Sequence, residues 1–155
     1  MEKFKDQPII LIQVKGMGFS VLVDTSYRYN LLAPYFIDFF HEKHPASPKT
    51  IEFHEWLNFN FPTQEAPIKT SLYLFEDIFQ KQEGIKRIKC KDNISRGCES
   101  VIFNYEYNGK AYSELFYIDQ SLCSYNVSKI SGILGTNFLK KHKWIIDFNK
   151  QEIRT

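Results

Sequence analysis

The chain has 155 residues, the length of one domain. Its 43% hydrophobic and 16% aromatic content is enough for a packed core, which excludes a disordered chain. A net charge of +2, with no dense Lys/Arg stripe, gives no ground for a nucleic-acid partner, and no run reaches the roughly 18 apolar residues of a membrane span.

Residues 1–7 are charged, and the apolar stretch after them, 8–12, is too short for a secretory signal. The expected location is the cytoplasm, and an odd count of three cysteines fits it, since no disulfide framework is suggested. Residues 8–14 are rich in isoleucine and read as a strand. Gly16, Met17 and Gly18 make a turn, and 19–23 is a second strand that runs straight into Asp24-Thr25-Ser26. A short apolar piece, 29–33, follows.

The stretch 34–84 reads differently. Pro34 suits the first position of a helix carrying Phe36, Phe39 and Phe40 on one face, and Pro45 and Pro48 break that pattern. Leu57, Phe59 and Phe61 alternate with polar residues, as in a short strand. Residues 71–83 read as a helix with Leu72, Phe75 and Phe79 on one stripe, capped by Ser71 and ended by Gly84.

Beyond it, 85–91 reads as a strand and 92–97 as a loop tip. Runs 99–107 and 110–118 are strands joined by Asn108-Gly109, a dipeptide whose two residues tolerate positive φ. Next comes Gly132-Ile133-Leu134-Gly135, with Thr136 or Asn137 as cap of a short helix. Lys140, Lys141 and Lys143 lie near its end, where cations suit the dipole. Residues 144–148 form a strand, Asn149-Lys150 a turn and 152–154 a last strand. No repeat or low-complexity segment is present.

Two stretches, Val21-Leu22-Val23-Asp24-Thr25-Ser26 and Gly132-Ile133-Leu134-Gly135 with its helix and closing strand, together resemble the retropepsin-like aspartic proteases, in particular the bacterial members. In that family a strand ends in Asp-Thr/Ser-Gly, and a distant apolar pair with a glycine packs beneath it. The resemblance covers about 8–33 and 85–155, and leaves about 34–84 as an α-helical insertion in a single domain spanning 1–155. It implies a mainly β fold, a small closed barrel of the acid-protease type.

The resemblance also implies a chemistry. Peptide hydrolysis wants one carboxylate as base and another as acid, and two in close contact share a proton because like charges that near do not both ionise. With one motif per chain, Asp24 from each of two chains would meet on a twofold axis. Thr25 resembles the residue whose hydroxyl ties the two loops together. A flap hairpin of about 86–100, with Gly97 near its tip, would close over the substrate. No metal or organic cofactor is needed, only water. The partners implied are a peptide or protein substrate and a second copy of the chain, with no nucleic acid and no membrane.

Ser26 departs from the family's glycine. If the position needs positive φ, serine costs roughly 1–2 kcal/mol, and a loop shift near 1 Å already costs about a hundredfold in rate. Tyr27 is bulky where the family is small. Arg28, if it lies near the dyad, favours ionisation of both carboxylates against the shared proton; if Tyr27 and Arg28 point outward, only Ser26 matters. The serine hydroxyl can also support a carboxylate by hydrogen bonding. The leading reading is therefore an aspartic endopeptidase working as a homodimer, with Asp24, Thr25 and Ser26 at its site. The alternative is an inactive module that binds a peptide or partner protein in the old cleft, and a weaker third is a domain for self-association alone.

Plainer readings accompany these. On three residues alone Asp24 is a turn aspartate. Asp147 reads as structural, Asp119 as solvated and Asp38 as lying on the exposed side of its helix. His41, His44, His54, Cys90, Cys98 and Cys123 lack the paired spacing of a zinc site. Cys90 and Cys98 face each other across the flap, reduced. Most aromatic residues between Tyr35 and Phe79 belong to a core rather than to an exposed patch.

Overall fold

The structure is a computed structural model that describes residues 2–43, 77–122 and 130–155. Strands β2 (Ile9–Val14) and β3 (Met17–Val23) form the first hairpin. Its turn is two residues, Lys15 at φ 53° and Gly16 at φ 80°, so β3 begins at Met17 rather than Phe19. Both central positions need positive φ in such a turn, and Lys15 takes the first. Strands β8 (Ser100–Tyr107) and β9 (Lys110–Ile118) form the longest pairing, turned by Asn108 at φ 54° and Gly109 at φ 79° as the dipeptide predicts. Along β8 buried and open positions alternate, the period-two pattern of a sheet with one face in the core.

Strand β10 (Gly132–Leu134) runs parallel to β3 and antiparallel to β4 (Leu31–Leu32), and β4 runs parallel to β9. The order β2-β3-β10-β4-β9-β8 closes into a ring where Gln13 of β2 meets Glu106 of β8. This six-stranded closed barrel is the mainly β, closed-barrel architecture expected from the motif order. Its filling includes Ile10, Ile12, Val21, Val23, Phe103, Phe116, Leu134 and Phe138.

Helix α1 (Pro34–Lys43) begins at Pro34 as expected. Phe36 and Phe40, one turn apart, are buried and pack edge-on against Phe19, Phe79 and Phe103, so these rings are core rather than patch. The side chains of Asp38, Phe39 and His41 lie outside the described residues, as do Pro45, Pro48, His44, His54, Cys123 and the strand expected at 57–61.

The helix expected over 71–83 is corrected in its described part. Strand β5 (Phe79–Lys81) pairs with β8, and Phe79 lies opposite Phe103 and stacks on it at 5.2 Å. The partner strand outweighs the local helical stripe, whose first six residues lie outside the description.

Helix α2 (Thr136–His142) also differs in its cap: Gly135 is the N-cap, and neither Thr136 nor Asn137 caps with its side chain. The last turn carries Lys140, Lys141 and His142, and Lys143 ends the helix at φ 58°. Strands β11 (Ile145–Asp147) and β12 (Glu152–Arg154) form a separate sheet with β1 (Glu2–Lys3), an element unreadable from a charged N-terminus. Asp147 accepts the Lys150 N–H at 2.9 Å and so shapes the β11–β12 turn, the structural role assigned to it. Among the described residues no helix is long and apolar enough to cross a membrane.

Candidate functional site

Asp24 stands where β3 leaves the barrel. Its N–H donates to the Leu134 carbonyl at 3.0 Å, which extends the β3–β10 pairing by one residue and fixes the start of the loop 24–30. The rest of that loop rests on Gly135 and the first turn of α2. The Thr136 and Asn137 N–H groups donate to the Tyr27 and Arg28 carbonyls at 2.7 and 3.0 Å. These are helix-start donors with no partner inside the helix, so one arrangement satisfies both the helix end and the loop. A Cβ on Gly135 would stand 2.5 Å from the Tyr29 carbonyl oxygen and 2.8 Å from that of Tyr27, so only glycine allows this approach. Buried Asn30 completes the clamp. Its side-chain oxygen accepts the Gly135 N–H at 3.0 Å, and its amide donates to the Leu115 carbonyl at 3.1 Å.

Thr25 and Ser26 lie exposed beside Asp24. Ser26 is not among the described residues with positive φ, so the condition under which serine would carry left-handed strain is not met. Its effect is chemical. Both its N–H, at 2.9 Å, and its hydroxyl, at 2.5 Å, donate to Oδ1 of Asp24.

Where a flap is expected, the chain forms the hairpin of β6 (Lys86–Lys89) and β7 (Ser95–Cys98). Its tip is 90–94, with Asn93 at φ 68°; Gly97 pairs with Arg87 and is not at the tip. The alternation that puts Ile88, Cys90 and Cys98 inward joins the hairpin to a second core of Leu22, Leu31, Tyr117, Leu122 and Ile133. The Cys90 and Cys98 sulfurs are 3.7 Å apart as free buried thiols, facing each other as expected. Burial pushes the Cys90 thiol up to about 12.

Lys91, at the hairpin tip, is a residue that sequence reasoning missed, as is Asn30. Its Nζ lies 3.3 Å from Oδ2 of Asp24. Its backbone is pinned on both sides: the N–H donates to Asp119 Oδ2 at 2.8 Å, and the carbonyl accepts the Tyr27 hydroxyl at 2.8 Å. Asp119 is therefore not solvated. It is fully buried, and its other oxygen accepts the Ser121 N–H and hydroxyl at 2.8 and 2.7 Å. The reason is that buried backbone donors at a strand end need an acceptor. Tyr27 leans inward on the second core and Lys91, while Arg28 is exposed, with its guanidinium 6.0 Å from the Tyr29 ring. The cation beside Asp24 is thus Lys91 and not Arg28.

Burial by itself would push the Asp24 carboxyl up. The Ser26 hydroxyl, the Ser26 N–H and the Lys91 ammonium outweigh it and hold the carboxyl below its ordinary value. Burial, and then the Asp24 charge, push the Tyr27 phenol up, so it stays a neutral donor to Lys91. The Asp24 side chain keeps 17% of its surface open, beside a cleft of about 340 Å³ between the loop and β6, lined by Ser26, Tyr27, Arg28, Tyr29, Lys89 and Asn93.

No protein-family model matches the chain, and no curated protein matches it. Among solved structures it is similar to the retroviral protease-like domain of Ddi1 from Leishmania major, at 11% sequence identity and a TM-score of 0.49, over 97% of this chain and 89% of that one.

Proposed function

We propose that this chain is a retropepsin-like module that holds a peptide in the cleft above Asp24 without hydrolysing it. One observation carries the reading: the Asp24 carboxylate is ringed by three donors of its own chain, the Ser26 N–H and hydroxyl on Oδ1 and the Lys91 ammonium on Oδ2. A general base must accept a proton from water, and a shared-proton dyad needs one carboxylate easily protonated. Each of the three donors favours the ionised form and occupies an acceptor site.

A second reading, the aspartic endopeptidase assembled as a homodimer with one Asp24 per chain, is favoured by the clamp on the loop. Leu134, Gly135 and Asn30 hold Asp24 at the barrel's edge with its carboxylate partly open. In that reading Thr25 bridges the two loops and Lys91 leaves Asp24 when substrate enters.

Peptide cleavage by purified protein from pH 3 to 8, beside Asp24→Asn, separates the two. We expect no cleavage from folded protein at any pH. Cleavage that disappears in Asp24→Asn would overturn the binding-only reading and establish the peptidase.

A further inference from the structure

The cleft beside Asp24 carries a charge imbalance that the chain as a whole does not. The chain's net charge is only +2. Yet Arg28 and Lys86 flank the Tyr29 ring, and Lys89 lies in the cleft beside it. The Lys86 ammonium lies 4.8 Å from the Tyr29 ring centre and the Arg28 guanidinium 6.0 Å from it, while Lys89 lines the same cleft. Hydrogen bonding to Arg28, then to Lys86, draws the Tyr29 phenol below its usual value, which is how a hydroxyl between two cations behaves.

None of the three cations has an ion-pair partner among the described residues. The neighbouring carboxylates are already engaged. Asp24 is taken by Lys91 and Ser26, Asp92 by a two-pronged contact with Arg96 at 2.8 and 2.6 Å, and Asp119 by backbone and Ser121 donors. A concave site with surplus charge of one sign concentrates ligands of the other.

The shape narrows the ligand. About 340 Å³ is at the low end of small-ligand pockets and suits a few side chains of an extended chain. Among the described residues strand β6 pairs with β7 alone, which leaves the backbone donors and acceptors of its other edge without a strand partner. A peptide uses such an edge, whereas a nucleic acid wants a long basic track.

We propose that the cleft between the Asp24 loop and the β6–β7 hairpin selects peptides bearing aspartate or glutamate, with Arg28, Lys86 and Lys89 as its specificity-determining residues. This rests on the peptide-binding reading above and adds the substrate class. Arg28 supplies a planar fork that matches a carboxylate, and Lys86 and Lys89 supply point charges.

The test is selection of a random displayed decapeptide library on the intact chain at low salt, with the Arg28→Gln/Lys86→Gln/Lys89→Gln triple variant alongside. All three positions are exposed, and circular dichroism checks that the variant folds. Expected is enrichment of acidic residues among bound peptides, about tenfold tighter binding of a selected peptide than of its Gln/Asn isostere, and loss of that preference in the triple variant. Bound peptides with no acidic bias, or a bias that survives in the variant, overturn the charge selection and leave peptide binding standing. No enriched peptide at all overturns peptide binding itself, and this proposal with it. Tighter binding by a labelled thymidine decamer that displaces the selected peptide overturns the assignment to peptides.

Discussion

Replacing Gly135 by alanine adds one methyl group at the most crowded point beneath Asp24. The backbone there has φ −97° and ψ −176°, open to any residue, so the cost comes from space alone. The new Cβ would lie 2.5 Å from the Tyr29 carbonyl oxygen, 2.8 Å from that of Tyr27 and 2.9 Å from the Arg28 carbonyl carbon, all of them backbone atoms. Ordinary contact begins near 3.4 Å, so loop and helix must separate by about 0.9 Å. Overpacking of this kind costs about 1–3 kcal/mol. The same movement stretches the Thr136-to-Tyr27 and Asn137-to-Arg28 hydrogen bonds, each contributing about 0.5–1.5 kcal/mol net. Gly135→Ala is therefore expected to lose about 2–4 kcal/mol, read from urea unfolding followed by circular dichroism. A loss below about 0.5 kcal/mol, the scale of a neutral surface change, would refute the idea that the loop is clamped at this glycine.

Asn30→Ala strips a partner from the Gly135 N–H and the Leu115 carbonyl together, and about 1–3 kcal/mol of stability should go with it in the same assay; Asn30→Asp, which keeps the acceptor for Gly135 but buries a carboxylate oxygen against the Leu115 carbonyl, should lose at least as much at neutral pH. The Cys90 thiol, pushed up to about 12 by burial, should resist iodoacetamide at pH 8 in the folded chain and react in urea, as read by mass spectrometry of its peptide; equal rates in both would show that the hairpin is not packed. Because the folded Asp24 carboxyl lies below its unfolded value, its bonds stabilise the chain above about pH 4 and are lost as pH falls through the folded value. Acid titration of stability should therefore be flatter for Asp24→Asn than for the native chain, and parallel curves would count against the Lys91 and Ser26 contacts.

Much of the barrel was legible because its turns are written in local chemistry. Asn108-Gly109 and Gly16 impose positive φ, and the strands beside them alternate or run apolar. The link between Asp24 and Gly135 was legible as a pair of motifs, though not the crowding that demands glycine. Phe79 was misread because it continues a helical stripe, and only β8, more than twenty residues on, decides that it is a strand. Lys91 left no trace, since 67 residues separate it from Asp24 and a lysine at a hairpin tip is ordinarily solvated. Asp119 was misread for the same reason: its burial goes with a hairpin tip 28 residues away that donates to it. Asn30 did leave a trace, as a lone amide between Tyr29 and Leu31 in an apolar run, where a buried polar group implies a specific partner.

The contact between Lys91 and Asp24 has weight because of what holds Lys91. A lysine reaching a carboxylate through its own flexible stem is worth little, about 0–1 kcal/mol for exposed pairs, and its side chain here is 40% open. Here, however, the backbone on either side is fixed by groups that do not involve the ammonium: the Asp119 carboxylate takes the N–H, and the Tyr27 hydroxyl donates to the carbonyl. The hairpin beneath is seated by Ile88, Cys90 and Cys98 in the second core. The ammonium thus reaches Asp24 from an anchored backbone, and what opposes the contact is the rotamer freedom of the lysine stem, up to about 2 kcal/mol. Ser26 works in the same direction without backbone strain, since its hydroxyl and N–H close on Oδ1 from two residues away. What holds the loop in shape, the backbone bonds to Leu134, Thr136 and Asn137 and the side-chain bonds of Asn30, does not involve the carboxylate. The scaffold and the chemistry of Asp24 are therefore separable: the barrel keeps its shape whatever the carboxylate does, and Ser26 and Lys91 alter the chemistry while leaving the barrel intact.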